Sequence, residues 1–137
     1  MSIAVIDKPN SMNTKLLSIG DFSDLEVYKL ANRLSMNVFQ LTLDFPKEEK
    51  HALIDQLRRS SREAAVHVAK GWGNRAYEMA FEKYLMEAVG SAEETKSWLG
   101  FAVNCSYMSV QIHQSLEKQY RELIKELFKL SENWRTL

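Results

Sequence analysis

Three histidines, one cysteine and a cluster of arginines are the side chains of this sequence best suited to chemistry. His51, His67 and His113 stand on three separate segments. No HExxH, no CxxC and no histidine pair at i, i+4 brings ligands together as zinc requires. The ExxH pairs that carboxylate-bridged helical bundles use are also missing. Glu63 and His67 form the one acid–histidine pair at helical spacing, and a surface salt bridge or hydrogen bond explains it. Cys105 has no histidine-rich surroundings to activate it, so a buried structural thiol is expected. Gly71-Trp72-Gly73 lacks both the spacing and the preceding strand of a phosphate-cradling loop. The chain therefore reads as non-enzymatic, with no cofactor and no metal.

The arginines are more informative. Between positions 47 and 75, Lys47, Lys50, Arg58, Arg59, Arg62, Lys70 and Arg75 outnumber the acids Glu48, Glu49, Asp55 and Glu63. Between positions 76 and 99 the balance reverses, with Glu78, Glu82, Glu87, Glu93 and Glu94 against Lys83 and Lys96. Two complementary solvated faces, or contacts between subunits, would account for this pattern. So would a basic strip for phosphate made of Arg58, Arg59, Arg62, Lys70 and Arg75, because Arg58 and Arg62 lie one helical turn apart. Trp72, Tyr77, Phe81 and Tyr84 could stack bases, yet their spacing marks mostly core.

Composition bounds these readings. At 137 residues, 45% hydrophobic and 26% charged, the chain has ordinary globular composition and suffices for one domain with its own core. Eighteen basic and eighteen acidic residues cancel, so no whole-molecule field draws it to nucleic acid or membrane. A single cysteine cannot form an internal disulfide, which suits a reducing cytoplasm. No apolar run approaches the roughly 20 residues of a membrane span, and the start has neither the cationic nor the apolar part of a signal peptide.

The elements that must position these side chains are helices. Residues 1–21 read as a loosely ordered tail in which Ile3–Ile6 could pair as a short strand; the domain is 22–137. Ser23 is expected to cap the first helix, with Glu26 completing a capping box and Phe22 as the staple residue. Leu25, Tyr28, Ala31, Leu34, Val38 and Leu41 then step along one face to Phe45-Pro46. From Pro46 to Trp72 nothing interrupts a helix of about seven turns. Leu53, Leu57, Ala64 and Val68 mark its core face, widened by Ile54, Ala65 and Ala69. Gly71 is placed as a left-handed C-cap, and Asn74 as the cap of a third helix over about 75–103. That helix carries Tyr77, Phe81, Tyr84, Ala88, Ala92, Thr95, Leu99 and Ala102. Gly90 in its middle costs about 1 kcal/mol against alanine, a cost usually tolerated for close helix contact. After a break at 104–106, Ile112, Leu116, Tyr120, Leu123, Leu127 and Leu130 mark the fourth helix. Short loops and the absence of β-alternation after residue 20 make the fold class all-α, an antiparallel up-down-up-down four-helix bundle.

Several ordered motifs resemble a known family: FSDLEVYKLA (22–31), FP (45–46), QLRR (56–59), AKGWG (69–73) and AVGSAEE (88–94). The chain is similar to bacterial four-helix-bundle proteins first noticed as reading frames inside intervening sequences of 23S ribosomal RNA genes. The similarity covers roughly residues 22–132. Where that family usually has asparagine and glutamate, this chain has His67 and Lys70, and Glu63 stands where a small serine is common. Related bundle proteins accompany diversity-generating retroelements, where they form ring-shaped pentamers and contact nucleic acid and a reverse transcriptase. The resemblance thus implies a homo-oligomer, a pentamer, and RNA or a ribonucleoprotein as partner.

Two functional classes follow. One is an oligomeric cytoplasmic scaffold that binds RNA through the five basic residues. The other is a protein–protein adaptor whose basic helix meets an acidic partner; a small-molecule or metal-binding bundle is a third. Apolar residues beyond those needed for one core, namely Met79, Met86, Trp98, Ile124, Phe128 and Trp134, would otherwise form an apolar patch of the interface kind. Together with opposite charges on the second and third helices, they suit head-to-tail contacts between subunits.

Overall fold

Apolar residues recurring every three or four positions become four helices. The computed structural model describes residues 20–134, and the tail with its possible strand at Ile3–Ile6 lies almost wholly outside them. Helix α1 spans Glu26–Thr42, α2 Leu53–Gly73, α3 Glu78–Asn104 and α4 Val110–Asn133, with 3-10 turns at Phe22–Asp24 and Lys47–Glu49. No strand occurs among the described residues. Successive helices run antiparallel and pack as neighbours, α4 returns to α1, and the most extensive pairing is α2 with α3. The fold is an all-α four-helix bundle.

The core follows the periodicity. Leu34, Val38, Leu57, Val68, Phe81, Leu85, Leu99, Tyr120, Leu123 and Leu127 are all fully buried. Between α2 and α3 the buried side chains are mostly small: Ser60, Ala64, Ala88, Ser91, Ala92 and Thr95. Thr95 Oγ1 lies 2.8 Å from Ser60 Oγ and donates to the Ser91 carbonyl at 2.8 Å. These bonds satisfy hydroxyls that would otherwise be costly to bury. Gly71 belongs to the same seam. A Cβ there would lie 3.1 Å from Tyr84 Cβ and 3.2 Å from Phe81 Cδ1.

Several local expectations are corrected. Gly71 lies inside α2 and has no positive φ, so its role is this close approach and not a left-handed cap. Gly90 has nothing within 4 Å of a built Cβ, so close contact does not explain it. The long second helix is interrupted because Ala52 leaves helical geometry at φ −129°, ψ −105°. Glu49 Oε1 then accepts from Leu53 N, and its Oε2 accepts from the Tyr107 hydroxyl at 2.8 Å. Ser23 does not cap α1: Asp21 caps the short 3-10 turn before it, and α1 begins at Glu26 behind Leu25, which offers no side-chain cap. Phe22 does pack edge-on against Tyr28, with ring centroids 4.8 Å apart. Asn74 closes α2 and does not open α3, its Nδ2 donating to the Lys70 carbonyl.

At the far end of α3 the expected break occurs, with Ser106 in the left-handed region at φ 63°. Cys105 is exposed, contrary to the buried thiol expected, because it caps α3 where the chain turns away. Ile112 is exposed in the first turn of α4, and the buried side chain at that end is Met108. Tyr77 is also exposed, since it precedes the first turn of α3.

Leu57 and Leu123, both at 0% exposure, give a direct check of these faces. Leu57→Ala or Leu123→Ala should each cost about 2–5 kcal/mol through lost burial and the cavity left behind. Chemical-denaturation midpoints indistinguishable from wild type in both variants would contradict the assigned core.

Candidate nucleic-acid interface

The α1–α2 flank brings two arginines together over one aromatic ring. Phe39 points from α1 toward α2, one turn from Thr42, and is half-buried. Arg58 lies over its ring, with the guanidinium carbon 4.6 Å from the centroid, and Arg62 follows at 5.9 Å. Such distances bring a cation under the influence of the ring's negative face. Arg58 Nε donates to Thr42 Oγ1 at 2.9 Å, which fixes the plane of its guanidinium. Among the described residues no carboxylate forms an ion pair with Arg58 or Arg62.

The other basic residues of the strip are placed differently. Arg59 turns toward α3, where it bonds Gln56, pairs with Glu63 at 2.9 Å and reaches Glu94. Arg75 folds back over Trp72 at 4.0 Å from the ring centroid and donates to its carbonyl at 2.7 Å. Lys70 is exposed near the end of α2. The five residues therefore do not make one continuous basic surface; Arg58 and Arg62 stand together, while Arg59 belongs to the α2–α3 seam.

That seam carries the opposite charges of the two helices within one chain. Glu94 accepts from Arg59 and from Trp98 Nε1 at 3.0 Å. Burial alone would raise its pKa, but the Trp98 hydrogen bond and the bond and charge of Arg59 outweigh that and hold it low. His67 Nδ1 lies 3.6 Å from Glu87 Oε1, and its ring stacks near Tyr84. Glu63 meets Arg59 and not His67, so the acid–histidine pair read from spacing is not the contact formed. Among the described residues, no three histidine, cysteine or carboxylate side chains gather as a metal site would need.

A family model described as 23S rRNA-intervening sequence protein matches residues 23–129. The chain belongs to that family. A solved structure of a protein of unknown function, from the S23 ribosomal protein family of Bacteroides thetaiotaomicron, superposes with a TM-score of 0.71. It is 18% identical, and the match covers 78% of this chain and 96% of that one. At such identity the likeness speaks for the fold alone. No curated protein matches.

In this family member the apolar residues expected outside the core divide into two groups. Met79 is 79% exposed and Phe128 is 43% exposed, while Met86 and Trp98 are half-buried. Ile124 is corrected: it is buried within the chain's own core at 9% exposure. Trp134 is likewise internal, meeting Phe81 edge-on at 4.7 Å and donating from Nε1 to Glu82. Ile124 closes the core because α4 turns a wide apolar face inward, and Trp134, capping that helix, closes its end against Phe81. The exposed Met36, Leu43, Val66 and Phe101 escaped the sequence reading. So did Phe39, although its place a turn from Thr42, off the Leu34–Val38 line, was a usable signal.

The Glu94 contacts give a pH test. A carboxylate whose folded pKa is depressed contributes stability above its unfolded value, and that contribution is lost as pH falls through the folded one. Glu94→Gln should therefore lower the denaturation midpoint at pH 7, and the gap from wild type should shrink below the ordinary value of 4.5. A gap that stayed constant from neutral to strongly acidic pH would show that ionised Glu94 adds nothing.

Proposed function

We propose that this chain is a non-enzymatic, homo-oligomeric scaffold that binds RNA, free or within a ribonucleoprotein, through the Arg58–Phe39–Arg62 flank. The observation that carries the reading is the pair of arginines one turn apart, without carboxylate partners, beside an aromatic ring. A cation already paired to a carboxylate has little left for phosphate, which removes Arg59 from the contact and leaves these two. The family's description, which refers to ribosomal RNA intervening sequences, supports RNA as the partner, and an RNA partner suits a cytoplasmic setting. Because the net charge is zero, binding rests on this local charge and should be strongly salt-dependent.

Replacing Arg58 and Arg62 together with glutamine should weaken RNA binding and flatten its salt slope. Loss of two phosphate contacts predicts a change of about 1.4 for single strands or 1.8 for duplex. Filter binding across a salt series measures both. A wild-type protein that bound no RNA even at low salt would remove the reading.

Self-association is the second part of the proposal. Tyr77 at 72%, Met79 at 79% and Phe101 at 55% exposure leave large apolar side chains in water in one subunit, and burying them between copies would relieve that cost. The resemblance to ring-forming bundle proteins makes the count five. The same exposed side chains favour the adaptor reading if a different protein covers them. Light scattering should return about five times the chain mass of 15.9 kDa; a mass equal to one chain would rule out the oligomer.

A further inference from the structure

The same flank differs from a plain phosphate-binding strip in what surrounds its arginines. Met36 is 52% exposed, Leu43 57% and Val66 48%. By helical spacing, Met36 and Leu43 share the side of α1 that carries Phe39, and Val66 lies one turn beyond Arg62 on α2. One surface thus combines two unpaired guanidiniums, a half-buried aromatic ring and three exposed apolar side chains. Asp55, exposed about one turn before Arg58, pairs with neither arginine.

We infer that this flank takes single-stranded RNA with unstacked bases and discriminates against duplex; the inference rests on the nucleic-acid reading above. A duplex hides its base faces and offers this surface only phosphate and sugar. Against such a ligand Met36, Leu43 and Val66 would lose water without gaining an apolar partner. A single strand supplies both halves of the match. Its phosphates meet Arg58 and Arg62, which stand roughly 6 Å apart along the helix axis. Its exposed base faces pack on the guanidinium plane that Thr42 and the Phe39 ring hold in place, and on the exposed apolar side chains around it. Stacking of this kind tolerates every base, so the preference is for strandedness and only weakly for sequence.

The test uses the full chain at low salt, with a fluorescent oligouridine of about 20 nucleotides and an RNA duplex of about 20 base pairs. Wild type should bind the single strand more tightly. Phe39→Ala removes the ring that backs the Arg58 guanidinium and should weaken single-strand binding about 5- to 150-fold, as expected for loss of one stacking platform, and leave duplex binding nearly unchanged. Met36→Ser, at a position already half in water, should move in the same direction and guards against misfolding of the Phe39 variant. Equal or tighter duplex binding, or equal losses on both ligands, would overturn the inference while leaving the nucleic-acid reading intact. Binding of neither ligand would remove both. Variants that lower the oligomer mass but bind RNA normally would show that another subunit covers this face, and would also overturn it.

Discussion

The close approach of α2 to α3 governs much of this structure. Small side chains line the seam, and Ser60 and Thr95 meet across it at 2.8 Å with no exposure to water. Gly71 lets the lower part of α2 pass within reach of Tyr84 and Phe81, where even a methyl group would force them to move. Once α2 is seated this way, its rotation about its own axis is set. Leu57, Ala64 and Val68 turn inward, and the residues flanking them are assigned to one neighbour or the other.

That assignment separates arginines that are adjacent in the chain. Arg58 and Arg59 differ by about 100° around the helix. Arg58 therefore falls toward Phe39 and Thr42 on α1, while Arg59 falls toward Glu94 on α3. The α2–α3 side neutralises its charges internally, through Arg59 with Glu63 and Glu94 and through the approach of His67 to Glu87. The α1–α2 side keeps two cations available. A chain of zero net charge can in this way present a local positive surface, because pairing on one flank leaves the other unbalanced.

The bond network of the seam also ties the surface to the fold. Glu94 receives both Arg59 and the Trp98 indole, so an apolar ring is held half-buried by the same carboxylate that engages the arginine. At the upper end of the bundle, Glu49 links the start of α2 to Tyr107 in the turn between α3 and α4. That hydrogen bond pushes the Tyr107 pKa up to about 12. These polar contacts connect segments that the apolar core alone would leave free to slide.

What the sequence by itself determined was the set of helices and most of their inward faces. Apolar spacing is a local property, and Leu34, Val38, Leu57, Leu99, Leu123 and Leu127 needed no knowledge of their partners to be read as core. The all-α class, the break after Asn104 and the concentration of cations near Arg58 were legible for the same reason. Tertiary structure decided the rest. Where α2 starts and ends depended on backbone angles at Ala52 and Asn74 that no residue type dictates. Whether Ile124 and Trp134 lay inside or outside depended on how wide a face α4 turns to α3. Which arginines remained unpaired depended on contacts between residues 35 positions apart, Arg59 with Glu94 and Ser60 with Thr95. Helical periodicity places a side chain around its own axis; only the packing of one helix against another determines what stands opposite it.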